Sequence, residues 1–146
     1  MNFVPDILIA VLVVLAALHA WWGLGGRWPG RDESSLVELV VGRTRAMRMP
    51  GFLPSLFVAF ALLAAAGLVA IQGKVISASL DPPAQWLAQA GFWTACAVFA
   101  LRGIAGFIPP IFAYARGTPF ARLNRLFYSP LCLLIAGGFF VAGTGM

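Results

Sequence analysis

Two ionisable side chains stand inside apolar stretches of this sequence and could carry chemistry. His19 lies near the end of the first apolar run, and Arg102 lies near the end of the third. Ionisable groups within a membrane are rare and usually face the interior of a bundle. Arg102 therefore predicts a binding site for an anionic ligand, with His19 as a second polar contact. Proton chemistry at His19, with Tyr128 or Ser129, is the enzymatic alternative.

A buried Arg102 would need partners, and the sequence offers few. Its five carboxylates all fall in predicted loops or at the outer end of a helix: Asp6, Asp32, Glu33, Glu38 and Asp81. Backbone carbonyls, a polar side chain near the fourth helix or an anionic ligand must then satisfy the guanidinium. The candidate ligand contacts are His19, Trp22, Arg102, Asn124, Tyr128 and Ser129.

The pattern of small residues in the third run favours an inward Arg102. Ala88, Gly91, Ala95 and Gly106 share its helical stripe, and small residues allow close helix packing in lipid. The alternative is that the long side chain extends along the helix to the lipid headgroups.

Other catalytic patterns are missing from the sequence. His19 is the single histidine, which excludes a multi-histidine metal or haem site, and Cys96 and Cys132 form no C-x-x-C pair. No paired-carboxylate, G-x-S-x-G or H-E-x-x-H pattern occurs. We expect no metal and no cofactor, and the residues favour a non-enzymatic role. A hydrogen-bonded packing role is the alternative for His19.

Composition defines the class of protein. Of 146 residues, 61% are hydrophobic and 10% are charged, which excludes a soluble globular domain and a disordered chain. Four apolar runs are long enough to cross a bilayer, at about residues 7–24, 54–72, 84–108 and 129–143. We predict an all-α, integral membrane four-helix bundle in a single domain over 1–146, with its first helix retained rather than cleaved as a signal peptide.

The distribution of basic residues predicts the orientation. The loops after the first and third helices carry eight basic residues, whereas the loop after the second carries only Lys74. Positive loops stay in the cytoplasm, so both termini are expected outside the bacterial cytoplasmic membrane. The formal charge of +5 then reflects topology rather than nucleic-acid binding.

Each basic loop also predicts a short helix. Ser35 and Glu38 have the spacing of a capping box. Thr118 and Pro119 begin a second segment, in which Phe120, Leu123 and Phe127 would share one face. Phe120, Arg122 and Arg125 are the candidate lipid contacts of an interfacial helix. A capped loop helix packed on the bundle is the alternative.

Binding of a lipid or anionic amphiphile in the cytoplasmic half is the preferred function. His19 and Arg102 are both expected roughly 7–9 Å below the cytoplasmic boundary, at about 1.5 Å rise per residue, and they meet if their helices are neighbours. The alternative is an accessory subunit of a larger membrane complex, or a homo-oligomer. It would use either the small-residue face of Ala59, Ala66 and Ala70 or that of Gly138 and Ala142.

Three segments carry a family resemblance: 19–28 (HAWWGLGGRW), 101–104 (LRGI) and 118–132 (TPFARLNRLFYSPLC). Together they resemble the small bacterial membrane proteins grouped as domain of unknown function 3995. The resemblance implies four membrane helices and no assigned activity. It also implies that an acid often stands at the positions of Gly106 and Asn124, which weakens a catalytic role in this chain. The residues that it singles out are His19, Arg102, Phe120, Arg122, Tyr128, Ser129 and Pro130.

Overall fold

A computed structural model describes residues 3–44 and 46–145, and every regular element in this part of the chain is helical. Arg45, one of the arginines predicted to face the cytoplasm, lies outside the described residues. The long helices are α1 (Val4–Gly23), α3 (Phe52–Gln72), α4 (Pro82–Ala105) and α6 (Ser129–Thr144). The short helices are α2 (Glu33–Val40) and α5 (Pro119–Leu123), with a 3₁₀ turn at Ala113–Ala115 and a π-helical turn at Asn124–Tyr128.

Four helical segments have the length and hydropathy to cross a bilayer: α1, α3, α4 and the continuous stretch Pro119–Thr144. The predicted all-α class with four apolar helices is confirmed. Prolines determine where two of the helices begin, because a proline in the first turn removes no hydrogen bond that the helix needs. Thus α1 begins at Val4 and has Pro5 as its second residue, and α4 begins at Pro82.

The four long helices pack as antiparallel neighbours. Gly23 at the end of α1 lies against Ser55 near the start of α3, while Gly73 beyond α3 lies against Pro5. In the same way, α4 packs along α6, and contacts between α3 and α4 and between α1 and α6 complete the bundle. Both basic loops therefore lie at one end of the bundle, which we call the basic end.

The core is built from aliphatic side chains of α1 and α3 and aromatic side chains of α4 and α6. Leu12 and Val69 are fully buried, as are Phe92 and Phe139. The rings of Phe92 and Phe139 lie 5.0 Å apart, and Phe99 stacks on Phe139 at 5.9 Å. These contacts hold the helices whose ends carry the candidate site.

The small-residue faces that were expected to bind a partner are used inside this chain. Ala59, Ala66 and Ala142 are at most 7% exposed, and Ala70 is half-buried. Gly138 lies so close to α1 that an added Cβ would stand 3.4 Å from Leu8. Most of these residues thus serve the close approach of the bundle's own helices. An accessory-subunit role that would use the same faces stays a prediction.

The cap of α2 differs from the predicted one. Asp32, not Ser35, is the N-cap, and its carboxylate accepts the Ser35 N–H at 2.8 Å. The Ser35 hydroxyl in turn accepts the Asp32 N–H at 3.0 Å, which completes a capping box. The helix places Leu36 and Val37 in the protein interior.

The second short helix is not a separate interfacial element. It continues through the π-helical turn into α6, and this turn rotates the face that follows. Phe120 is 3% exposed and Phe127 is 61% exposed, so the predicted common face is wrong. Phe120 packs on Phe112 and Tyr128 rather than against lipid, at ring distances of 5.8 and 5.9 Å.

Candidate functional site

Arg102 lies in the last turn of α4 and points toward the π-helical turn. Its Nη2 donates to Oδ1 of Asn124 at 2.7 Å. Its guanidinium carbon stands 4.9 Å from the ring centroid of Phe112, a cation–π distance. These two contacts fix the guanidinium from two sides.

Asn124 is the residue that joins the elements of the site. It is 2% exposed, and its Oδ1 also accepts the hydroxyl of Ser129 at 3.4 Å. Its Nδ2 donates to the carbonyl of Gly106 at 3.3 Å. The π-helical turn allows this arrangement, since it brings residues five apart, Asn124 and Ser129, to the same side.

Gly106 lets the end of α4 approach α6 closely. An added Cβ would overlap the Ser129 hydroxyl and would stand 3.1 Å from Nδ2 of Asn124. A larger residue would therefore displace the amide that holds Arg102. The sequence placed Gly106 on the stripe of Arg102, one helical turn later, although it was not a candidate site residue.

One nitrogen of Arg102 has no partner. Nη1 is buried and forms no hydrogen bond with any described residue, and among these residues the guanidinium forms no ion pair. A buried polar atom without a partner is rare in proteins, and a buried charge is stable only when it is paired or hydrogen-bonded. Arg102 thus holds a positive charge that its own chain leaves partly unsatisfied.

A cleft of about 200 Å³ lies beside this network. Asn124 and Phe112, the two residues that hold the guanidinium, form part of its wall. Arg116 and Arg125 also line it, together with apolar groups such as Phe107. Two guanidinium groups thus line the cleft and a third lies behind its wall. Arg116 and Phe112 were not candidates, because nothing in the spacing places residues beyond the double proline near α4.

His19 lies apart from Arg102. Its Nδ1 donates to the Leu15 carbonyl of its own helix at 2.8 Å, and its ring stands 5.1 Å from that of Trp22. The principal neighbour of α1 is α3, and that of α4 is α6. The structure does not bring His19 to Arg102, because their helices are not neighbours in the bundle.

Two further candidates form structural hydrogen bonds. The hydroxyl of Tyr128 donates to the carbonyl of Leu39 at 3.1 Å and ties the π-helical turn to α2. Nε1 of Trp22 donates to the carbonyl of Trp28 at 2.7 Å. The six candidates therefore separate into a network of Arg102, Asn124 and Ser129 and individual contacts elsewhere at the basic end.

The fold defines a class of small helical protein with four membrane-compatible helices. The chain belongs to the family described as "Protein of unknown function (DUF3995)", whose model matches residues 12–139. This confirms the family resemblance. No curated protein and no solved structure matches the sequence. Within the described residues no group of three histidine, cysteine or acidic side chains could hold a metal ion.

Proposed function

We propose that the protein is a multi-pass protein of the bacterial cytoplasmic membrane that binds an anionic amphiphile in the cleft beside Arg102. The observation that carries the proposal is the cleft that Arg116 and Arg125 line, next to the two residues that hold the Arg102 guanidinium. The ligand class covers an acidic lipid headgroup and a membrane-soluble acidic metabolite. Their shared chemistry is an anion attached to an apolar chain.

The cleft has the groups that such a ligand needs. Arg116 and Arg125 can each donate two hydrogen bonds to a phosphate or carboxylate. Arg102 does not line the cleft but contacts two of its lining residues, Asn124 and Phe112. Its positive charge attracts an anion in the cleft, and this attraction is stronger at low dielectric than in water. Phe107 and Ile108 supply apolar surface at the same cleft.

The surroundings of the cleft support a place at a membrane surface. Phe107, Ile108, Ile111 and Tyr114 are 42–50% exposed on the segment after α4, and they stand next to Arg116 in sequence. Apolar and aromatic side chains interleaved with arginine are typical of the interface between acyl chains and anionic headgroups. The excess of basic residues at this end supports its assignment to the cytoplasm.

Native mass spectrometry in mild detergent tests the proposal. The full chain is incubated with phosphatidylglycerol or phosphatidylcholine, and retained lipid is compared between the wild type and the double variant Arg116→Gln/Arg125→Gln. We expect the double variant to retain phosphatidylglycerol at least about tenfold less, since hydrogen bonds to charged groups contribute roughly 1.5–3 kcal/mol.

Arg122→Gln is the matched control, because Arg122 is exposed on α5 and does not line the cleft. It should retain phosphatidylglycerol like the wild type, and Arg102→Leu should lose it. Equal retention of phosphatidylglycerol by all four proteins would overturn the proposal.

The same spectra address a second candidate function, an accessory subunit or homo-oligomer. Gln89 and Thr94 are exposed on α4 and form no side-chain hydrogen bond within the described residues. Polar side chains on a membrane helix bind across helices to a neighbour. A stoichiometric protein partner or a second copy, retained on the wild type and lost in Gln89→Leu, would favour this function.

A further inference from the structure

A second cleft, of about 230 Å³, lies at the basic end where α1 and α3 meet. Trp22 and Gly23 at the end of α1 line it, as does Phe52 at the start of α3. Two opposite charges, Arg27 and Glu33, also face into this cleft. It shares no lining residue with the cleft beside Arg102.

The two charges do not pair with each other. Among the described residues neither forms an ion pair and Arg27 forms no hydrogen bond, although the charge of Arg27 acts on the nearby Asp32 carboxylate. Oε1 of Glu33 accepts the Met49 N–H at 3.1 Å, which orients the carboxylate, and its second oxygen has no partner among the described residues. A cation and an anion thus line the same cleft, and each has free hydrogen-bonding capacity.

An apolar groove of about 250 Å³ follows the same pair of helices toward the middle of the bundle. Ala17 and Ala20 line it on α1, and Leu56 and Leu63 line it on α3. Ala20 precedes Gly23 by three residues, and Leu56 follows Phe52 by four, so the groove and the cleft occupy the same helical stripes. The cleft that holds both charges therefore lies on the same helical stripes as an apolar groove.

We infer that the α1–α3 pair binds a zwitterionic phospholipid with a primary ammonium, of the phosphatidylethanolamine class. Its phosphate accepts hydrogen bonds from the Arg27 guanidinium, and its ammonium donates to the free oxygen of Glu33. One acyl chain lies in the groove beside Ala17 and Leu63. The inference goes beyond the anionic ligand proposed for the Arg102 cleft and does not depend on it.

The charges select this headgroup over the other common ones. A phosphatidylcholine headgroup carries no N–H and cannot donate to the Glu33 carboxylate. A phosphatidylglycerol headgroup has no cation and would place its negative charge beside the same carboxylate. Soluble phosphoethanolamine compounds share the headgroup chemistry but leave the groove unfilled.

Native mass spectrometry with equal concentrations of phosphatidylethanolamine and phosphatidylcholine, matched in acyl chains, tests the inference. We expect the full-length wild type to retain phosphatidylethanolamine about tenfold better, the effect of one charge-assisted hydrogen bond. Glu33→Gln should abolish this preference, since the amide keeps an acceptor for Met49 but loses the charge. Arg27→Gln should lower retention of both lipids.

Glu38→Gln is the matched control, because Glu38 is an exposed carboxylate on the same helix that does not line the cleft. It should keep the preference for phosphatidylethanolamine over phosphatidylcholine. The double variant Arg116→Gln/Arg125→Gln, which tests the cleft beside Arg102 through its loss of phosphatidylglycerol, should keep this preference as well. Equal retention of the two lipids by the wild type, or an unchanged preference in Glu33→Gln, would overturn the inference.

The groove is tested with glycerophosphoethanolamine, which has the headgroup without acyl chains. Ala17→Phe fills the groove from its exposed rim and should weaken binding of the lipid at least several-fold. Equal competition by glycerophosphoethanolamine and the intact lipid would show that a soluble zwitterion is the ligand, and it would overturn the lipid assignment.

Discussion

At the scale of single residues, the site depends on one neutral amide. The Asn124 side chain accepts a hydrogen bond from Nη2 of Arg102 and donates one to the Gly106 carbonyl at the end of α4, but it carries no negative charge. A carboxylate at this position would neutralise the guanidinium. With an amide, the cation is held in place while its charge remains available to a ligand.

This role predicts a specific pattern of coupling between two substitutions. Asn124→Leu leaves the Nη2 of Arg102 without a partner and should lower the free energy of unfolding by about 2–3 kcal/mol, the penalty for stranding buried polar groups. Adding Arg102→Leu removes the stranded cation and should recover part of the loss. Unfolding of both single variants and the double variant in mixed micelles measures the coupling.

Leu123→Ala serves as a control, because Leu123 neighbours the amide in sequence but contributes no polar atom to the network. It should show additive effects with Arg102→Leu. Strict additivity of Asn124→Leu with Arg102→Leu would contradict the role assigned to the amide.

The sequence identified part of this site and missed the rest for a physical reason. Arg102, Asn124 and Ser129 were candidates because polar groups at helix ends stand out against an apolar background. His19 was expected as a second contact to the same ligand, but it lies on the other pair of helices. Hydrophobicity shows which segments are helices, but it does not show which helices are neighbours, since every membrane helix is apolar on all sides.

At the scale of elements, the sequence did not predict the π-helical turn. The periodicity of Phe120, Leu123 and Phe127 assumes 3.6 residues per turn, and the turn at Asn124–Tyr128 breaks that period. No residue type specifies a π-helical turn, so the sequence gives no signal for it. The four long helices, in contrast, were predictable because their apolar runs end at glycine, proline or charged residues.

The cap of α2 leads to a prediction about pH. Hydrogen bonds from Ser35 hold the pKa of the Asp32 carboxyl below its ordinary value of 3.8. Because the folded pKa is lowered, the stabilising contribution of this cap is fully present above pH 3.8 and is lost as the pH falls through the folded value. The backbone amide resonance of Ser35 should therefore titrate with a midpoint below 3.8.

Asp32→Asn is the control for this titration, since an asparagine can cap the helix at any pH. In that variant the Ser35 resonance should stay constant over the same range. A wild-type midpoint at or above 3.8 would contradict the assigned hydrogen bonds.

At the scale of the whole molecule, the helices place most of the charged residues at one end. The antiparallel packing puts the described segments at 24–44, 46–51 and 106–118 together, and the loop that contains Lys74 lies at the other end, with the start of α1 and the end of α6. This common placement supports the predicted orientation, because a single membrane side can then hold nearly all the basic residues.

Reporter fusions test the orientation. We expect alkaline phosphatase fused after residue 145 to be active outside the cytoplasm, and the same enzyme inserted after Gly117 to be inactive. A fluorescent protein that matures only in the cytoplasm should give the reverse pattern at the two sites. Phosphatase activity at Gly117 together with none at the C-terminus would show that the protein is inserted the other way round.

The pairing of α1 with α3 and of α4 with α6 also has a consequence for biogenesis. Each pair is a hairpin of two successive membrane-compatible helices, so the first hairpin can close while the second is still being synthesised. The guanidinium of Arg102 and the amide of Asn124 belong to the second hairpin alone. That hairpin can therefore form the hydrogen bond between Arg102 Nη2 and Asn124 before it docks against the first hairpin.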